Sequence, residues 1–106
     1  MRTNYQKGRE FEYRTRKRLS EMGAVYIMRA ASSKGAFDLI AIFTDKTWLV
    51  QCKTDGKLPK AEKELCAALA LQTGHTAVMA SKNKRGSLVF HEITKKGLTA
   101  IIQVVE

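Results

Sequence analysis

The sequence has little of what secreted, zinc-binding or membrane-spanning proteins contain. Only two cysteines, Cys52 and Cys66, occur among its 106 residues, and they do not have the CxxC or CxxH spacing of a zinc site. We therefore expect two reduced, buried thiols. The longest apolar runs are far too short to cross a bilayer, and residues 1–14 lack the apolar stretch of a signal peptide. These absences favour a soluble, intracellular protein.

Acidic residues are also scarce relative to basic ones. Ten Asp and Glu stand against 19 Lys and Arg, which gives a net charge of +9. An excess of this sign favours a polyanionic partner, most often nucleic acid, and thus a location at the nucleoid. The basic residues form two clusters, one near the N-terminus and one in a probable turn, and such clusters indicate contact with phosphates rather than with bases. These clusters are Arg2, Lys7, Arg9, Arg14, Arg16, Lys17 and Arg18, and then Lys82, Lys84 and Arg85.

The order of helical and strand patterns predicts a sheet flanked by helices. The length suggests one domain over residues 1–106, with a core thin enough that pairing with a second chain is plausible. Asn4 is a plausible N-cap for the first helix, and Gly23 suits the position after its end. We expect an α/β fold with five strands in the order αβββαββ, and the segment 95–106 is open between strand and helix. The predicted helices span 4–22 and 60–73, and the predicted strands span 25–29, 37–43, 47–54, 76–81 and 87–93.

Polar side chains stand at the ends of the two strands in FDLIAIFTDKTWLVQCK. Side chains alternate between the faces of a strand, so Gln51 and Lys53 point the same way. If Asp45 and Lys46 form a two-residue turn, Asp38 lies opposite Lys53 and shares its face. This register predicts that the three side chains meet at one end of the sheet.

Such a cluster permits two interpretations. A carboxylate beside an amide carbonyl offers hard oxygen ligands for Mg²⁺ or Mn²⁺. A nearby lysine can orient a metal-bound water and offset developing negative charge, which suits hydrolysis of a phosphodiester. The alternative is an ion pair between Asp38 and Lys53 that caps the edge of the sheet.

Several motifs occur together in one order: KGREFE, MRAASSKGAFD and LVQCK. In this order and spacing the sequence resembles the archaeal-type Holliday junction resolvases of the PD-(D/E)XK nuclease superfamily over residues 7–93. The resemblance implies a restriction-endonuclease-like fold and a metal-dependent endonuclease. It also implies a homodimer that makes paired nicks in four-way DNA junctions, with Mg²⁺ as cofactor and Mn²⁺ as a substitute.

The resemblance also implies a role for each matching residue. Asp38 would be the central metal ligand, Gln51 the second ligand through its carbonyl oxygen, and Lys53 the catalytic lysine. Glu12 would be a further ligand, directly or through water, and Ser33 would lie near the scissile phosphate. The residues expected to hold DNA are Lys7, Arg9, Arg14, Arg16, Arg29, Ser32 and Lys34.

One position departs from the family pattern, because Gln51 stands where the usual residue is an acid. An amide contributes a dipole instead of a charge, so we expect weaker metal affinity or a preference for Mn²⁺. Two alternatives stay open: another nicking or repair nuclease of the superfamily, or a DNA-binding relative with weak catalysis or none. The apolar residues of 61–71 or the tail segment IIQVV could form the dimer contact.

Overall fold

Two helices and six strands make up the computed structural model, which describes residues 3–30 and 36–101. The predicted α/β class and element order are confirmed, but the sheet has six strands and not five. The sixth strand comes from the segment that the sequence pattern left open. The elements are α1 Asn4–Glu21, β1 Tyr26–Arg29, β2 Leu39–Ile42, β3 Thr47–Cys52, α2 Lys60–Thr73, β4 Thr76–Lys82, β5 Leu88–Thr94 and β6 Gly97–Ala100.

All six strands belong to one mixed sheet in which they follow chain order. Neighbours pair antiparallel except β3 and β4, which are parallel. A parallel pair needs a crossover, and α2 provides it. Because β3 and β4 point the same way, their carboxyl ends lie at the same edge of the sheet. The amino end of β2 and the carboxyl end of β1 lie there too, since each pairs antiparallel with its neighbour.

Helix α1 begins at the predicted residue, but its N-cap is one residue earlier than predicted. The N-cap is Thr3, not Asn4: the Thr3 side chain accepts from the N–H of Gln6 at 3.1 Å, and the Gln6 side chain accepts from the N–H of Thr3 at 2.9 Å. This reciprocal capping box satisfies two backbone donors that the helix itself leaves unpaired. At the other end, Gly23 has φ 107° just after the C-cap, as predicted.

The sheet separates two cores. On the α1 side, Phe11 and Leu19 pack on an aromatic cluster in which the ring centroids of Trp48 and Phe43 lie 5.2 Å apart, and those of Trp48 and Phe90 lie 5.7 Å apart. Burial of each such ring stabilises the fold by about 1.5–3 kcal/mol. The α2 side has a smaller core. Its buried members are Cys66, Ala77, Met79 and Ile93.

The register of the β2–β3 hairpin differs from the predicted one by two residues. Ile42 pairs with Thr47, and the N–H of Phe43 donates to the carbonyl of Lys46 at 2.8 Å. Lys46 therefore lies in the ladder instead of the turn, with its ammonium 5.1 Å from the Phe43 ring centroid and 5.5 Å from that of Trp48. The ladder pairs end at Leu39 and Val50, and the N–H of Asp38 donates to the carbonyl of Val50, so Asp38 lies beside this pair and not opposite Lys53. A slip of two residues keeps each paired side chain on its face, and the grouping of Asp38 with Gln51 and Lys53 stays a prediction.

Within residues 3–30 and 36–101, neither helix is long and apolar enough to cross a membrane.

Candidate active site

Three strands bring polar residues to one edge of the sheet, which we call the site edge. It comprises the carboxyl ends of β1, β3 and β4 and the amino end of β2, where Arg29 pairs with Leu39 and Cys52 pairs with Ala80. Asp38 directly precedes Leu39, and Gln51 and Lys53 flank Cys52, so all three residues lie at this edge.

Hydrogen bonds fix Asp38 at the site edge. Its backbone N–H donates to the carbonyl of Val50, and its carbonyl accepts from Ala30, both at 2.8 Å. Its carboxylate Oδ2 accepts from the N–H of Cys52 at 2.8 Å. A hydrogen bond to an ionised acceptor is among the stronger ones in proteins. The chain thus orients this carboxylate towards the end of β3 before any ligand binds.

Gln51 and Lys53 occupy the α2 side of the same strand end. The predicted alternation is confirmed, since Cys52 packs with Trp48 and Val50 on the α1 side. Gln51 is buried. The backbone N–H of Lys53 donates to the carbonyl of Ala80 at 2.8 Å.

A carboxylate that sequence reasoning missed contacts this lysine. Glu62 lies in the first turn of α2, and its Oε2 is 3.2 Å from the Lys53 Nζ. The only signal in the sequence is the absence of an acid at position 51, which could have prompted a search for a carboxylate in the following helix. The charges of Glu62 and Asp38 raise the pKa of the Cys66 thiol, and the charge of Lys53 lowers it.

Both thiols are free, as predicted. The prediction that both are buried is confirmed for Cys66 but not for Cys52, which is only partly buried. Burial raises the pKa of Cys66 to about 11, and the Glu62 carboxylate adds to this effect. Burial, and then the Asp38 carboxylate, raises the pKa of Cys52 to about 12. A thiol acts as a nucleophile only as the thiolate, so these neutral thiols are poor nucleophiles at neutral pH.

Helix α1 brings Glu12 to the site edge. Its carboxylate Oε1 contacts the Nε of Arg29, the last residue of β1, in an ion pair. Its charge also acts on Cys52, whose backbone binds Asp38. The structure thus brings together the Glu12, Arg29 and Asp38 of the sequence prediction, but it adds that Glu12 and Arg29 neutralise each other.

Basic residues from the two clusters meet beside the site edge, where α1 contacts the β4–β5 turn. The Arg14 guanidinium on α1 donates to the carbonyl of Gly86 at 2.9 Å, in the turn between β4 and β5. The Lys82 ammonium lies 5.7 Å from the ring centroid of Phe11. Arg9 donates to the Tyr5 hydroxyl at 3.1 Å on the exposed side of α1. Lys7 and Arg16 are also exposed on α1, and Ser32, Ser33 and Lys34 lie outside the described residues.

The donor set at the site edge suits a hard divalent cation with few protein ligands. In the described part of the chain, no three His, Cys, Asp or Glu side chains are grouped to hold an ion. The oriented Asp38 carboxylate and the buried Gln51 amide both offer oxygen. Mg²⁺ is usually bound by one or two carboxylates and keeps several waters or phosphate oxygens, so these residues fit such an ion.

Comparisons with known proteins agree with this geometry. The family model described as archaeal Holliday junction resolvase (hjc) matches residues 3–104. Among solved structures, the chain is similar to Hjc of Archaeoglobus fulgidus, a Holliday junction resolvase from an archaeal hyperthermophile. The TM-score is 0.68 at 21% identity, over 89% of this chain and 87% of that one. The comparison with curated proteins gives no match.

The match of the family model covers almost the whole chain, and the similar fold supports it. The chain therefore belongs to the archaeal Holliday junction resolvase family, and its activity is that of a junction-resolving endonuclease.

Proposed function

We propose that this chain hydrolyses phosphodiester bonds of four-way DNA junctions at the site edge. The observation that carries the proposal is the carboxylate of Asp38, which the N–H of Cys52 orients at the strand end that also bears Gln51 and Lys53. The alternative noted from the sequence, a simple ion pair between Asp38 and Lys53, is not supported, since the Lys53 ammonium pairs with Glu62.

A divalent cation is the cofactor that this site suits. Nucleases of this family are generally dependent on a divalent metal. Asp38 and Gln51 would hold Mg²⁺, or Mn²⁺ in its place, and Glu12 would contribute directly or through water. When bound, the ion would polarise the scissile phosphate and lower the pKa of a water. The neutral Gln51 favours weaker affinity or a preference for Mn²⁺.

Lys53 would act on the phosphate rather than on the fold. Its ammonium is a compact charge on a flexible stem, and only the Glu62 carboxylate holds it among the described contacts. Such a charge can offset the negative charge that develops on the phosphate, and it can orient the attacking water. Ser33 would lie near the scissile phosphate, as the family motif implies.

The basic surface would hold the DNA arms. Lys7, Arg9, Arg14 and Arg16 are exposed on α1, and α1 docks through Arg14 on the basic β4–β5 turn. This places positive charge from two elements beside the site edge, where phosphates on either side of the cut would lie. Arg29, Ser32 and Lys34 would complete the contact at the loop before Asp38.

A dimer would be needed to cut two strands of like polarity at related points, because a two-fold axis then presents two equivalent sites. The outward side of α2 is the surface that we assign to it. Helix α2 buries Cys66 and Ala67 in the chain but leaves Leu65 51% and Leu71 69% exposed. The tail segment IIQVV lies mainly outside the described residues.

Cleavage of a labelled four-way junction tests the function. With Mg²⁺ or Mn²⁺ the protein should introduce paired, symmetric nicks in the junction and leave linear duplex of the same sequence intact. The same preparation should have the mass of two chains by light scattering. Equal cutting of both substrates would reject junction selectivity. Tight binding without any cut would instead support the catalytically inactive relative, the second candidate that Gln51 favours.

A further inference from the structure

Glu62 is the acid at the site edge that the family motifs leave without a role. Its Oε2 is buried, and within the described residues no donor is aligned to hydrogen-bond with it. The Lys53 ammonium lies at ion-pair distance, 3.2 Å away. Burying an ionised oxygen without a hydrogen bond is costly. The Glu62 side chain is partly exposed, but its Oε2 is turned towards Lys53 and away from water.

The charges at the site edge show what Glu62 adds. Asp38 and Lys53 carry opposite charges, and Glu12 and Arg29 neutralise each other in direct contact. Gln51 is neutral. Of the residues that the motifs assign to the metal site, only Asp38 and Glu12 are acids, and Arg29 offsets the charge of Glu12. Glu62 adds a further carboxylate, and the number of charged ligands sets how tightly such a site binds its ion.

We propose that Glu62 supplies the second carboxylate of the metal site, in place of the strand acid that Gln51 lacks. The inference rests on the proposed function, because it assumes that a cation works beside Asp38. Glu62 contacts Lys53, the residue that follows Cys52, and the N–H of Cys52 holds the Asp38 carboxylate, so the two carboxylates lie at the same end of β3. The Lys53 ammonium is the counter-ion of the Glu62 carboxylate in the structure.

Direct measurement of Mn²⁺ binding, without DNA, separates this role from catalysis. Isothermal titration calorimetry of the wild-type chain and Glu62→Gln should show an affinity lower by about tenfold or more in the variant, since a charged ligand is lost. Glu64→Gln is the matched control. It removes the same charge from the same helix, but Glu64 is exposed and lies 4.0 Å from Lys60 as its ion-pair partner. Its affinity should equal that of the wild type.

Rescue by a strand carboxylate makes the test specific. Adding Gln51→Glu to Glu62→Gln should restore Mn²⁺ affinity to the wild-type level, with circular dichroism verifying that each variant is folded. If Glu62→Gln binds Mn²⁺ as the wild type does while Asp38→Asn does not, Glu62 only positions Lys53 and the proposal is overturned. Absence of Mn²⁺ binding by the wild type at millimolar concentrations would also overturn it. Glu62-dependent binding in a protein that cuts no DNA would uphold it and reject the proposed function instead.

Discussion

At the scale of the residue, the thiol of Cys66 reports on the charges of the site. Cys66 lies on the buried side of α2, and its pKa is raised to about 11 first by burial and then by the Glu62 carboxylate. An unfolded cysteine ionises near pH 9.0. Between these values the folded chain keeps a proton that the unfolded chain has lost. The free energy of unfolding must therefore fall as the pH rises from about 9 to 11.

Replacing Cys66 by alanine should remove its contribution to the fall in unfolding free energy at alkaline pH. We expect wild-type protein to be more stable than Cys66→Ala at pH 8, and the difference in unfolding free energy to shrink by about 1 kcal/mol at pH 10. Urea denaturation at both pH values measures this difference. The Cys52 thiol is present in both proteins, so its contribution to the unfolding free energy cancels in the difference. A difference that stays constant with pH would show that Cys66 titrates in the folded chain as it does in the unfolded one.

Individual residues were predictable where a local rule applied. Alternation along β3 correctly placed Gln51 and Lys53 on one face, and the buried reduced state of Cys66 followed from its spacing and its place in an apolar helix. Glu62 was missed because its contact with Lys53 depends on how α2 docks over the end of β3. No periodicity within either element encodes that docking.

At the scale of the element, turn chemistry separated correct from incorrect predictions. Helix α2 was predicted with its observed bounds, since Gly74 in the left-handed conformation ends it. The β2–β3 register was wrong because Lys46 packs over Phe43 and Trp48 instead of forming the turn. The strand β6 was left open because GLTA has only one large apolar residue, and its pairing with β5 decides its conformation.

The β4–β5 turn belongs to the DNA-binding surface in this account, and a second turn offers a matched control. Lys84 and Arg85 lie at the site edge, where Arg14 binds the same turn. Lys95 and Lys96 lie in the β5–β6 turn at the opposite edge, since β5 runs antiparallel to β4. Both pairs carry two positive charges.

Replacing Lys84 and Arg85 by alanine should weaken junction binding and reduce the slope of log K against log salt by about 2, since each phosphate contact contributes about 0.9. The Lys95→Ala/Lys96→Ala protein should keep the wild-type slope. Fluorescence anisotropy at several salt concentrations provides the measurement. Equal losses in the two double variants would mean that net charge, and not a surface at the site edge, drives binding.

At the scale of the whole molecule, one topological feature assembles the site. The parallel pairing of β3 with β4, which α2 joins, brings the ends of β1, β2, β3 and β4 together at the site edge. Helices α1 and α2 pack on opposite faces of the sheet. Each helix then contributes one glutamate: Glu12 from α1 meets Arg29, and Glu62 from α2 meets Lys53. The sheet supplies Asp38 and Gln51 between them.

The central claim is that the Asp38 carboxylate at this edge carries the cleavage chemistry, and one pair of variants tests it directly. Asp38→Asn should bind the four-way junction as tightly as the wild type but introduce no nicks, because the amide keeps the shape and loses the charge that holds the cation. Asp45→Asn, in the turn at the opposite end of the same hairpin, should cut at the wild-type rate. Paired nicks from the Asp38→Asn protein at an undiminished rate would contradict the account.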